Sequence, residues 1–136
     1  AGAGQLNEPV GIALDAHGKV YIADTWNQRV QVFQEKAAGQ FEPVAEWSID
    51  GWYGHSLDNK PYLAVSAAGT VCLSDPEGYR ILCFTGDGTY LKGWGESGST
   101  NTAFGLPSGV AFAADGTVWV VDTSNNRLMQ FAPGVK

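Results

Sequence analysis

Apolar and polar positions alternate along almost the whole chain, in runs of four to seven residues bounded by Gly, Asn or Asp. Val10, Ile12 and Leu14 alternate before Ala16-His17-Gly18, and Val20 and Ile22 alternate after it. A polar stretch from Asp24 to Gln28 follows, and then Val30, Val32 and Phe33 resume. Such period-two runs between turn residues predict short antiparallel strands. They fall at residues 10–14, 20–22, 30–33 and 41–47, then 62–66, 70–74, 80–85 and 89–94, and finally 108–113, 117–121 and 127–132. No segment has sustained helical periodicity with caps, so the chain reads as all-β. Gly18, Gly69 and Gly116 stand at the same place in successive hairpins, where a residue free to take positive φ is needed; two-residue turns are expected there.

The pattern is written three times. Asp24, Asp75 and Asp122 are 51 and 47 residues apart, and each precedes an arginine by five positions: Arg29, Arg80 and Arg127. A period of this size, filled with four strands apolar on both faces, predicts small sheets stacked side by side as the blades of a β-propeller. The expected blades cover about residues 6–47, 57–94 and 106–132 of a single domain, 1–136, and the third lacks an obvious outermost strand.

Leu6-x-x-Pro9-x-Gly11-Ile12-Ala13, followed by Gly18-x-Val20-Tyr21-Ile22-Ala23-Asp24-Thr25-x-Asn27-x-Arg29-Val30-x-Val32-Phe33, resembles the NHL repeat. The third copy, with Leu106-Pro107-Ser108-Gly109-Val110-Ala111 and Asp122-Thr123-x-Asn125-x-Arg127, is similar to it as well. The second copy departs: it has Asp75-Pro76-Glu77-Gly78-Tyr79-Arg80 without the Asn, and Tyr62 in place of the Gly after Pro. The resemblance implies a six-bladed propeller, of which this chain holds half.

Three blades leave two sheet faces without neighbours. Val20, Ile22, Tyr21, Val118, Val120 and Trp119 are the apolar residues expected there. A second copy related by a two-fold axis would supply the missing half and close the ring, the last blade of each chain meeting the first blade of the other. The free edge of the strand near residues 127–132 is a further open element, to be met by the segment before Pro9 or by a partner. Ala1-Gly2-Ala3-Gly4 has the composition of a linker.

Composition narrows the function. Eight Lys and Arg against fourteen Asp and Glu give a net charge of −6, which disfavours nucleic acid, since phosphate binding rests on cations. No apolar run is long enough to insert in a membrane. The repeated Asp–Arg pairs are read as structural braces, because a catalytic group is needed once and not in every unit. Cys72 and Cys83 are expected to face each other across a hairpin as two buried thiols, their predicted Cβ separation being long for a disulfide. His17 reads as an exposed turn residue. The connection over residues 48–60 and the loops between second and third strands are expected to share one rim. There Trp26, Trp52, Tyr53, His55, Asn59, Lys60 and Tyr79 form a candidate ligand site. No catalytic constellation, metal set or cofactor motif emerges. The function expected is a non-enzymatic scaffold or recognition module for protein, peptide or another ligand. The competing class is a metal-dependent hydrolase or lyase with its site on the ring axis. The compartment is left open, with a part of a larger bacterial extracytoplasmic or membrane protein as one origin.

Overall fold

The computed structural model describes residues 2–52 and 59–134. Among these residues, eleven strands lie in three antiparallel sheets. The first comprises β1 (Pro9–Leu14), β2 (Val20–Asp24), β3 (Arg29–Ala37) and β4 (Gln40–Ser48). The second comprises β5 (Leu63–Val65), β6 (Val71–Asp75), β7 (Arg80–Phe84) and β8 (Tyr90–Trp94). The third holds β9 (Pro107–Phe112), β10 (Val118–Asp122) and β11 (Arg127–Phe131), so β11 is an edge among the described residues. Each sheet is a meander, and the innermost strands β1, β5 and β9 lie against one another in that order.

The hairpin tips differ from the two-residue turns the sequence suggests. In each, the glycine amide bonds back three residues, as from Gly18 to the Asp15 carbonyl and from Gly69 to that of Ser66, and the glycine itself takes positive φ. This is a four-residue turn closed by a left-handed glycine, a common longer hairpin connection.

Strand register sorts the apolar residues into faces. Directly opposed residues share a face: Tyr21 with Val32 and Ala23 with Val30 on one side of the first sheet, Val20 with Phe33 on the other. Tyr21, Ala23, Val30 and Val32 are buried against Leu63, Val71, Leu73, Leu82 and Phe84 of the second sheet. The other face of the second sheet, with Ile81, meets Phe104, Val118, Val120, Met129 and Phe131 of the third blade. These are the two cores. The open faces are therefore composed differently from expectation. Tyr21, Val118 and Val120 are buried between blades, because consecutive strand residues point to opposite sides. Val20 and Ile22, half-buried, lie on the free side of blade one with Ile12 and Leu14; Trp119 lies on the free side of blade three with Val121 and Leu128.

The second copy of the repeat departs for a structural reason. A register irregularity lies between Pro9 and Ile12, and another between Val120 and Asp122 in the third blade, whereas β5 pairs with β6 without one. Leu63 pairs with Leu73 as Ile12 pairs with Ile22. With Leu63 matched to Ile12, Tyr62 falls at the place of Gly11, and its carbonyl accepts from the Ser74 amide. Gly11 lies close to the next blade: a Cβ there would be 3.2 Å from the Tyr62 Cα and 3.3 Å from the Leu63 nitrogen, tighter than an ordinary contact.

Cys72 and Cys83 are joined in a disulfide, contrary to the expected free thiols. They are directly opposed on β6 and β7 with a Cα separation of 4.1 Å. That is the spacing of the close pairs in an antiparallel ladder, which brings the sulfurs within bonding reach.

Candidate functional site

The register puts the start of each inner strand, the loop between second and third strands, and the end of the outer strand at one end of every blade: Pro9 faces Asp24, and Arg29 faces Ser48. The shared rim expected from the sequence is therefore where these loops gather. Its framework is the Asp–Arg pair.

In blade one, Asp24 is fully buried and accepts hydrogen bonds from the Asn7 amide, Asn27 Nδ2, Arg29 Nε and Gln31 Nε2. The same guanidinium donates to the Gly2 and Gln5 carbonyls and to Glu46. Residues 2–7 are thereby laced to blade one, with Gly4 also donating to Gln31 Oε1, so the glycines near the N-terminus are not a free linker. In blade three, Asp122 receives the Gly105 and Leu106 amides, Asn125 Nδ2 and Arg127 Nε, while Arg127 donates to the carbonyls of Ser99, Thr100 and Ala103. In blade two, Arg80 Nε lies 2.7 Å from Asp75, and its terminal nitrogen donates to the Asp50 carbonyl. Each arginine therefore ties the incoming loop to its own blade.

Blade two meets the same need without the Asn. Gly78 stands where Asn27 and Asn125 stand, and its amide donates to Asp75. A Cβ there would fall 2.2 Å from the carboxylate as it lies, so a side chain at 78 would require the Asp75–Arg80 pair to shift. The position before each arginine is left-handed in all three blades: Gln28, Tyr79 and Asn126 have φ of 54°, 55° and 53°. Single 3-10 turns, Thr25–Asn27 and Thr123–Asn125, precede it in blades one and three.

Electrostatics follow from these contacts. Burial alone would raise the Asp24 carboxyl, but the donors from Asn7, Asn27, Arg29 and Gln31 outweigh it and hold the group below its ordinary value. Asp122 is lowered in the same way, burial being overcome by Asn125, Arg127 and two backbone amides. Both stay ionised and fully engaged, which suits a brace and leaves no lone proton acceptor for acid–base work.

The candidate ligand residues separate. Trp52 is not exposed on the rim: its indole is buried between blades one and two, beneath the loops, with Nε1 donating to the Ser74 carbonyl. An indole this large beside an apolar interface is more stable in the core than on a loop surface. Trp26 is 46% exposed, and Asn59 and Tyr79 are half-buried. Asn59 borders a crevice with Thr25, Trp52 and Glu77 that has room for about one water molecule. Lys60 pairs with Glu8 at 3.9 Å. Tyr53 and His55 lie outside the described residues. His17 is exposed in its turn. Among the described residues no three His, Cys, Asp or Glu side chains gather as a metal site, and no helix is long and apolar enough to cross a membrane.

What sequence reasoning missed is the anchor of each incoming loop. Leu6, Trp52 and Phe104 all precede an inner strand; the last two are buried between blades, while Leu6 is 39% exposed on the open side. The recurring Leu6-x-x-Pro9 and Phe104-x-x-Pro107 spacing held that signal.

The NHL repeat family matches at residues 6–33 and 104–131, the first and third blades. No match was found among curated proteins. Among solved structures, the chain is similar to virginiamycin B lyase from Staphylococcus aureus, with 17% identity and a TM-score of 0.61 over 98% of this chain and 44% of that one. It is similar to a putative gluconolactonase, with 18% identity and a TM-score of 0.59 over 97% of this chain and 42% of that one. It is similar also to the calcium-binding protein regucalcin from Agrobacterium tumefaciens, with 12% identity and a TM-score of 0.61 over 90% of this chain and 45% of that one. The chain spans less than half the length of each, and at these identities the likeness is one of fold. The chain therefore carries NHL repeats at residues 6–33 and 104–131 and folds as three antiparallel sheets that match part of six-bladed propellers.

Proposed function

We propose that the chain is a half-propeller that closes a six-bladed ring with a second copy of itself and serves as a recognition module for protein or peptide. The observation carrying this is the pair of open blade faces. Ile12 and Leu14 on blade one are 65% and 62% exposed, and Leu128 and Val121 on blade three are 62% and 45% exposed. These residues occupy the register positions that are buried where blades meet inside the chain. Gly109 adds support: it is the counterpart of Gly11, whose missing side chain admits the next blade's backbone, and it lies on the open side of blade three. Contiguous apolar surface of this kind is characteristic of interfaces, and a two-fold arrangement buries both faces at once.

Recognition is favoured over catalysis because the three Asp–Arg pairs are consumed by internal hydrogen bonds, while the rim presents the exposed ring of Trp26 beside polar loops. The disulfide fits an oxidising, extracytoplasmic setting.

Complementation tests the assembly. Ile12→Asp and Val121→Lys each place a charge on one open face and are expected to give monomers. Mixed together, the two variants form a heterodimer in which one interface is unaltered and the other pairs the new charges. Failure of the mixture to associate, or unchanged dimers from either variant alone, would contradict a head-to-tail ring.

A further inference from the structure

Blade one displays what the outer nitrogens of its arginine hold. Arg29 Nη1 donates to Glu46 of the outermost strand at 2.9 Å, and Nη2 donates to the carbonyls of Gly2 and Gln5. In blade three both outer nitrogens of Arg127 are engaged as well, by the carbonyls of Ser99, Thr100 and Ala103. Blade two is different. Arg80 keeps its bond to Asp75 through Nε and gives Nη2 to the Asp50 carbonyl, but Nη1 has no partner among the described residues, and the side chain is 38% exposed. Strand register supplies the reason. Gln31 opposes Glu46 in blade one, and Leu82 opposes Gly93 in blade two, so the position that offers a carboxylate to Arg29 offers none to Arg80. Arg80 also borders a groove of about 300 Å³, walled by Leu82, Phe84 and Tyr90 of blade two and by Ser48 and Asp50 at the end of β4. The Tyr90 ring stands edge-on to Phe84, and its hydroxyl lies 2.9 Å from where a Gly93 Cβ would be.

We propose that this groove binds a small organic acid, one carboxylate joined to a flat apolar body. The carboxylate takes the place on Arg80 that Glu46 has on Arg29, accepting from Nη1 and from the Tyr90 hydroxyl. A charge-assisted bond of this kind is stronger than a neutral one. The body lies on Leu82 and on the rings of Phe84 and Tyr90, which suit an aromatic group. The volume is that of a small-molecule site. Asp50 is exposed beside it and makes no ion pair with Arg80, so its charge repels a second anionic group and favours a monocarboxylate over a diacid or phosphate. The groove lies between two blades that both have four strands, and it does not depend on ring closure.

The test uses the full chain, with 3-phenylpropionate as the probe and 3-phenylpropanol as its neutral counterpart. Nuclear magnetic resonance titrations follow the Arg80 Nε–H and the Gly93 amide. The acid is expected to bind at millimolar concentration and shift both signals, and the alcohol to bind about tenfold more weakly, the loss expected for one charge-assisted hydrogen bond. Gly93→Glu supplies from within the chain the carboxylate that blade one has, the ends of the Tyr90 and Leu82 side chains moving aside, and should abolish binding of the acid. Equal binding of acid and alcohol, binding of the acid that leaves Arg80 unshifted, no binding of the acid, or undiminished binding to Gly93→Glu would each overturn the proposal. All but the last are read on the unaltered chain and stand whether or not the variant folds.

Discussion

At the residue scale the molecule is organised by a buried carboxylate that never acts alone. Asp24 is fully buried, and the Arg29 side chain is 9% exposed, whereas the Arg80 side chain beside Asp75 is 38% exposed. Removing one partner of a well-buried ion pair leaves the other uncompensated. Asp24→Ala is accordingly expected to cost about 3 kcal/mol in urea unfolding, and Asp75→Ala clearly less, since water screens Arg80. The lowered Asp24 and Asp122 carboxyls fix a pH dependence. Their contribution is complete above the unfolded value near 3.8 and is lost as pH falls through the lower folded values, so stability should be level near neutrality and decline in acid. An unfolding midpoint that stays constant through that range would contradict the brace. A second residue-scale effect is strain. Tyr79 takes the left-handed conformation that Asn126 takes at the same place in blade three, and a bulky residue there costs about 1 kcal/mol relative to Asn. Tyr79→Asn should stabilise by that amount; a loss of stability would mean that ring packing outweighs the backbone.

At the scale of the elements, much was legible and the exceptions have physical causes. Alternation placed the eleven strands of the described residues, because period-two apolar runs between turn residues mark a strand whether or not both of its faces are covered. Alternation alone does not say which set faces which neighbour, and so Tyr21, Val118 and Val120 were grouped with the open faces although they pack between blades. The irregular register before Ile12 was equally hidden, since a one-residue slip is written in backbone pairing and leaves the apolar pattern intact. Trp52 was drawn to the rim by its place in a long connection, and burial at the blade interface reversed that. The constant spacing of five did mark Asp and Arg residues that meet in all three blades, each Arg Nε donating to its Asp. The Cys72–Cys83 bridge was obscured by an average strand separation, when the local pair is closer. It joins strands already paired by β6 and β7, so reduction should lower stability by about 2 kcal/mol, the low end for a native bridge, without dissolving the hairpin. Reductant-insensitive unfolding would show that the bridge contributes nothing.

At the scale of the whole molecule, the described residues form two filled interfaces between blades and leave the outer faces of the first and third blades uncovered. The same register that buries Val71 against blade one leaves Val20 half-covered at the other end of the stack, and the same alternation that buries Tyr21 leaves Trp119 beside solvent. A sheet with apolar residues on both faces needs a neighbour on each side, and among the described residues only the middle blade has both. The central claim is that a second copy provides the rest. Light scattering coupled to size exclusion tests it most directly: the account predicts a species of twice 14.4 kDa, about 29 kDa, and a monodisperse species of 14.4 kDa would contradict it.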